Sequence, residues 1–192
     1  MCRKDETYPV EVLTSTEIKN MFRHLSTLSY SGRRNRALLA VLYRCGLRCS
    51  EALALKVGDI DLDVGTVRVL HGKGNKARTV GLDSQTGWYL TKWLELRSRR
   101  AGLLFVTTRG DRLDDRYVRQ FVARIAAAAG VEKRVHPHAF RHTHAAELAR
   151  ENVPINVIQR QLGHSNVSVT SRYLDHIAPT VLIETIRSRE WE

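Results

Sequence analysis

Two arginines stand where an unpaired cation would be costly. Arg48 lies between Leu47 and the largely apolar run CSEALAL at 49–55, and Arg141 lies between Phe140 and His142 in AFRHTHAA. A guanidinium set among apolar residues must be paired or must hold a ligand. Glu51, three residues after Arg48, offers a plain structural ion pair as one alternative. The other is a phosphodiester, whose non-bridging oxygens two planar guanidiniums can clamp as charge builds on them. Tyr173, in SVTSRYLDH, is then a candidate nucleophile. A free phenol has a pKa near ~10, so attack needs adjacent cations or a base. Taken alone, a tyrosine at helical spacing is ordinary core or surface filling. GKGNK at 72–76 fails the phosphate-loop pattern GxxxxGK[ST]. It is either an exposed turn with solvated Lys73, Lys76 and Arg78, or a tight turn that carries a lysine into a groove beside a phosphate.

Eight histidines invite a metal, and HPHAFRHTH places His136, His138, His142 and His144 within nine residues. A zincin needs a glutamate directly after the first histidine of its helix, and Ala139 holds that position. No cysteine or carboxylate lies inside the cluster, so neither a metal nor a cofactor is expected. Cys45 and Cys49 read as small buried thiols rather than ligands.

The composition agrees with a polyanionic partner. Lys and Arg number 31 against 20 Asp and Glu, a net charge of +11. That excess points to nucleic acid. No segment pairs a strong apolar face with a purely basic one, and no run of 18 apolar residues occurs, so neither a membrane surface nor a span is expected. The first residues, MCRKDETYPVEV, lack the apolar core of a signal peptide. Three cysteines without a CxxC fit a reducing cytoplasm. A chain of 192 residues buries enough surface to fold without disulfides.

The elements that must position these residues are mostly helical. LTSTEIKNMFRHL, 13–25, opens with a capping box of Thr14 and Glu17, followed by Ile18, Met21, Phe22 and Leu25 at helical spacing. Further helices are expected at 33–43, stopped by Gly46, and at 50–55. Residues 65–82 read as strand, turn, strand, with Val67 and Val69 alternating against Arg68 and Leu70. Residues 83–97 return to helix, with Trp88, Tyr89, Trp93 and Leu96 available for packing. LLFVT at 103–107 is a strand or an extended link. A helix capped by Asp114 or Asp115 runs to Gly130. Helices at 138–149, 155–162, 168–175 and 180–188 complete the chain. The fold class is mainly α with a small antiparallel β-sheet (α+β), divided into a tail at 1–12, one domain at 13–177 and a C-terminal helical segment at 178–192.

In combination these segments resemble the catalytic domain of the tyrosine recombinases, the phage integrase family. Four blocks carry the likeness in the family's order: CGLRCSEALAL at 45–55, HGKGNKARTV at 71–80, HPHAFRHTHAAELA at 136–149 and LGHSNVSVTSRYLDH at 162–176. The nine residues from His164 to Tyr173 also match. The resemblance implies that Arg48 is the first catalytic arginine and that Glu51 orders the pocket. It implies that Lys73 protonates the leaving 5′ oxygen, with Lys76 as its rival, and that His138 and Arg141 form the HxxR pair. His164 takes the position held by histidine or tryptophan in relatives, and Tyr173 is the nucleophile. His138 either takes the tyrosine's proton or hydrogen-bonds the phosphate. Arg78 is expected to contact a phosphate or the surface, His142 to pack or to support the site from behind, and His136 and His144 to take no part in the chemistry.

The reaction so implied is site-specific DNA recombination through a 3′-phosphotyrosyl link, without ATP or metal. It implies double-stranded DNA as partner, a tetramer on two DNA sites and a prokaryotic cytoplasm as location. Most relatives carry an N-terminal clamp domain, so this chain is expected to be a fragment or to resemble the short inversion recombinases. An accessory DNA-bending or clamp protein then becomes a candidate partner. Val181, Leu182 and Ile186 form a stripe that either docks on a neighbouring protomer or packs on its own domain. The rival readings are a type IB topoisomerase-like nicking-closing enzyme and a DNA-binding regulator that keeps the fold without cleavage.

Overall fold

The computed structural model describes residues 12–70, 77–97, 101–163 and 186–187. Lys73, Lys76, His164 and Tyr173 lie outside them, as do the expected helix at 168–175 and the apolar positions Val181 and Leu182.

Helix α1 spans Ser15–Arg23 and is started by the expected capping box. Glu17 N donates to Thr14 Oγ1 at 3.1 Å, and Thr14 N donates to Glu17 Oε2 at 2.6 Å. Helix α2, Tyr30–Arg44, is capped by Ser29, which accepts from Gly32 N. Its run from Ala37 to Leu42 is buried on every side. A helix apolar all round belongs in the centre of a core, and α2 packs against both α4 (Ser84–Arg97) and α6 (Pro137–Arg150). Helix α3 is short, Cys49–Ala54.

A 3₁₀ turn at Val57–Asp59 leads into a three-stranded antiparallel sheet of order β1-β2-β3, made of Ile60–Asp61, Thr66–Val69 and Arg78–Gly81. Val67 pairs with Val80, and Val69 with Arg78. The period-2 alternation turns Val67, Val69 and Val80 into the core and leaves Arg68 and Thr79 outside. The first strand was not expected from sequence, because two residues carry no periodicity.

Segment 103–107 is an extended link rather than a strand. It makes single antiparallel bridges from Leu103 to Lys56 and from Val106 to Arg112. In α4 the packing falls on Leu90, Trp93 and Leu94, while Trp88 stays 50% exposed and Leu96 also faces solvent. Trp93 satisfies its indole N–H on Leu104 O at 2.9 Å, which permits its burial. Helix α5, Asp115–Ala128, takes Asp114 as its cap, and Pro137 occupies the first turn of α6, where its missing N–H is harmless. Helix α7, Ile155–Leu162, ends at Gly163, whose φ of 67° closes the helix in the left-handed conformation.

Candidate active site

The chain leaves α2 through Cys45 and turns at Gly46 with φ 61°. A Cβ at Gly46 would stand 2.7 Å from His144 Cδ2 and 2.8 Å from Leu162 Cδ2. Glycine therefore serves two ends here. It adopts the backbone conformation, and it lets α6 and α7 close on the turn. That closeness brings the carbonyl of Gly46 to Arg141. Arg141 Nη1 donates to Gly46 O at 2.6 Å, and Nη2 donates to Leu162 O at 2.5 Å. The residue is 1% exposed. Its guanidinium thus links the turn two residues before Arg48 to the end of α7, two residues before His164.

Arg48 is the N-terminal cap residue of α3. Glu51, at the third position of the helix, reaches back to accept from Arg48 N at 2.9 Å through Oε2 and from Arg48 Nη1 at 2.8 Å through Oε1. This is the ion pair that the spacing allowed. It does not consume the arginine, whose side chain keeps 26% of its surface open.

Glu51 has a second partner that the sequence reading missed. Arg78 Nη1 donates to Oε1 at 3.0 Å and Nη2 to Oε2 at 2.8 Å, a fork on both oxygens. Arg78 was expected at a phosphate or the surface, and instead lies with its side chain 12% exposed between the sheet and α3. The signal was present in the strand alternation. Arg78 shares the face of Val80 and so points inward. Burial disfavours the Glu51 carboxylate, but the hydrogen bonds from Arg78 and Arg48 N and the two positive charges prevail, holding its pKa down at about 2.

His138 stands one helical turn before Arg141 on α6. Partial desolvation, then the charges of Arg141, His136 and Arg48, push its pKa down to about 4. The charge of Arg48 is the smallest of these influences on His138, and it acts across 90 residues of chain. The His138 ring meets that of His142 edge-on at 4.5 Å. His142 and His144 are buried, whereas His136 is exposed. His144 is pushed down to about 4 by burial and then by the charges of Arg44 and Arg141.

Outside His138 lies an open groove of about 1260 Å³ between α5 and the segment leading into α6. Arg119, Lys133, Arg134 and His136 line it, with Asp115 and Glu132 as the acidic members. Arg119 pairs with Asp115 and Lys133 with Glu17, so the lining is close to balanced in charge. The described part of the site therefore holds a pair of anchored arginines, a neutral histidine beside them and an open groove of mixed charge. That arrangement can bind a phosphodiester and stabilise charge on it.

Comparison with known proteins bears on the chain as a whole. The model described as the Phage integrase family matches residues 11–178. The chain is 35% identical over 195 residues to the tyrosine recombinase XerC of Bacillus pumilus, covering 97% of this chain and 63% of that relative. The crystal structure of XerA recombinase superposes with a TM-score of 0.82 at 28% identity, covering all of this chain and 68% of that one. XerH site-specific recombinase bound to palindromic difH substrate, in a post-cleavage complex, gives 0.79 at 26% identity over 97% of this chain and 55% of that one. The chain thus spans less than two thirds of the length of the curated relative.

Proposed function

This chain belongs to the phage integrase family, the tyrosine recombinases, and from that premise we propose that it cleaves and rejoins double-stranded DNA at a specific site through a 3′-phosphotyrosyl intermediate. The observation that carries the reading is the anchoring of Arg141 on Gly46 and Leu162, which ties the Arg48 turn to the end of α7.

In this mechanism the scissile phosphate sits between Arg48 and Arg141. Tyr173 Oη attacks phosphorus, the bond to the 5′ oxygen breaks, and Lys73 gives that oxygen its proton. Arg48, Arg141 and His164 neutralise the charge that builds on the equatorial oxygens. His138 is neutral near pH 7, since its pKa is pushed down to about 4. Burial and then the arginine charges depress it; an incoming phosphodiester counters those charges and makes the ring a better acceptor for the tyrosine proton. The phosphotyrosyl link keeps the energy of the broken ester. A 5′ hydroxyl from a partner strand can then attack it and release the tyrosine. Strand exchange calls for two DNA sites and several protomers, and a tetramer satisfies both. The protein would act beside the chromosome in a prokaryotic cytoplasm.

The test is covalent capture. The 192-residue chain is incubated with sheared chromosomal DNA of its source, denatured, and assayed for protein–DNA adducts beside Tyr173→Phe. An adduct formed by the wild type and absent from Tyr173→Phe supports the reading, and the trapped fragments define the site. Binding to that DNA without an adduct overturns it in favour of a regulator.

A further inference from the structure

Arg78 lies at a crossing of three elements. Through its fork on Glu51 it reaches α3 and the cap residue Arg48. Its Nε donates toward Gln161 O at 3.4 Å, near the end of α7. Its side chain is stacked against Gly163, where a Cβ would meet Arg78 Cζ and Nε at 2.7 Å and Cδ at 2.8 Å. The same strand is clipped to α7 a second time. Gly81 N donates to Gln161 Oε1 at 3.1 Å, and Gln161 Nε2 donates to Gly81 O at 3.4 Å.

We propose that Arg78 is a positioning residue for DNA cleavage, acting through Glu51 to hold Arg48 in a one-armed contact and in fixed register with the end of α7. A lone carboxylate beside Arg48 would favour a two-armed pair with it, because parallel N–H donors match carboxylate geometry. That pair would turn the guanidinium away from an incoming phosphate and cancel more of its charge. Arg78 prevents this by engaging both oxygens of Glu51. Arg48 is left with one guanidinium bond to Glu51, through Nη1, and none to any other described residue. Two arginines on one carboxylate also leave a net positive charge at the site. Lysine cannot replace Arg78, since one ammonium does not span two carboxylate oxygens and Gln161 together.

The inference rests on the recombinase reading. Its test uses the 192-residue chain and a nicked duplex of the captured sequence, measuring affinity and the single-turnover rate of adduct formation separately. Arg78→Gln should bind within about twofold of wild type and cleave on the order of 10²-fold more slowly. Arg78→Lys, which keeps the charge, should recover thermal stability but remain about tenfold slow in cleavage. The double variant Arg78→Gln/Glu51→Gln should cleave no more slowly than Glu51→Gln alone, because both act through one contact. Wild-type cleavage by Arg78→Lys, or additive losses in the double variant, overturns the positioning role while leaving the recombinase reading intact. Absence of an adduct with the wild-type protein overturns the recombinase reading and this inference with it. Should Arg78→Gln fail to fold, Arg78→Lys alone decides.

Discussion

Arg141 is 1% exposed and donates to two backbone carbonyls, whereas Arg48 keeps 26% of its side chain open and donates to a carboxylate. The two guanidiniums serve one candidate phosphate site but are oriented by different physics. Carbonyl dipoles orient Arg141 without neutralising it, and they belong to the Gly46 turn and the end of α7, so its placement is as stable as the helix packing around it. Arg48 is oriented by an ionised group that carries a second arginine. Its placement therefore depends on pH and on Arg78. One arginine is held by the fold, the other by a local network that can be altered without unfolding the protein.

The largest expected effect separates the two directly. Arg141→Lys leaves at least one buried carbonyl without its donor and should lower the unfolding free energy by about 2–4 kcal/mol. Arg48→Lys, at a partly open pair, should lower it by less than about 1 kcal/mol. Urea melts of both variants check this, and equal losses would break the comparison. Next, Glu51→Gln should remove about 2 kcal/mol by leaving Arg78 without its buried countercharge. The Glu51 carboxyl is held near pH 2 in the fold against an ordinary value of 4.5. Its stabilisation is thus complete above the ordinary value and is lost as pH falls through the folded one. Melts between pH 5 and pH 2 should show that acid loss in the wild type and a weaker one in Glu51→Gln.

On the Arg141 side the titrating group is different. His144, 5% exposed and packed beside Gly46, has neither ring nitrogen hydrogen-bonded among the described residues. Its pKa is depressed from 6.5 to about 4, so the fold favours the neutral ring. Stability is therefore full above pH 6.5 and falls as pH drops toward 4. His144→Phe should shrink that loss by about 1 kcal/mol without abolishing it, because His138 is shifted in the same sense. An unchanged acid profile between pH 6.5 and pH 4 would show that the Arg141 side carries no such sensitivity. The smallest effect is a control. Thr14→Ala removes the capping box of α1 and should lower stability by about 0.5–1 kcal/mol, with the pH dependence of both arginine sites unchanged.

Much of this was legible in the residue order. The capping box at Thr14, the stop at Gly163, the β2–β3 alternation and the pairing of Arg48 with Glu51 follow from interactions spanning three or four positions, or from a period of two. The resemblance pointed to Glu51, His138 and Arg141 as residues to look for as well. Arg78 was misjudged because it was read together with Lys73 and Lys76 as one turn, facing either solvent or a phosphate. Trp88 and Leu96 were misjudged because helical spacing does not say which apolar stripe faces the core, and the stripe of Leu90, Trp93 and Leu94 took it.

The sequence by itself determined the capping box of α1, the stop of α7, the strand phase and the inventory of cations, since each depends on local backbone sterics, short-range hydrogen bonds or residue type alone. Only the tertiary structure decided who holds whom. Arg141 meets carbonyls 95 and 21 residues away, and Glu51 meets an arginine 27 residues on. Such partners are chosen by the packing of α2, α6 and α7 around Gly46. Once that packing removes water, a buried guanidinium must take whichever acceptors the fold brings within reach.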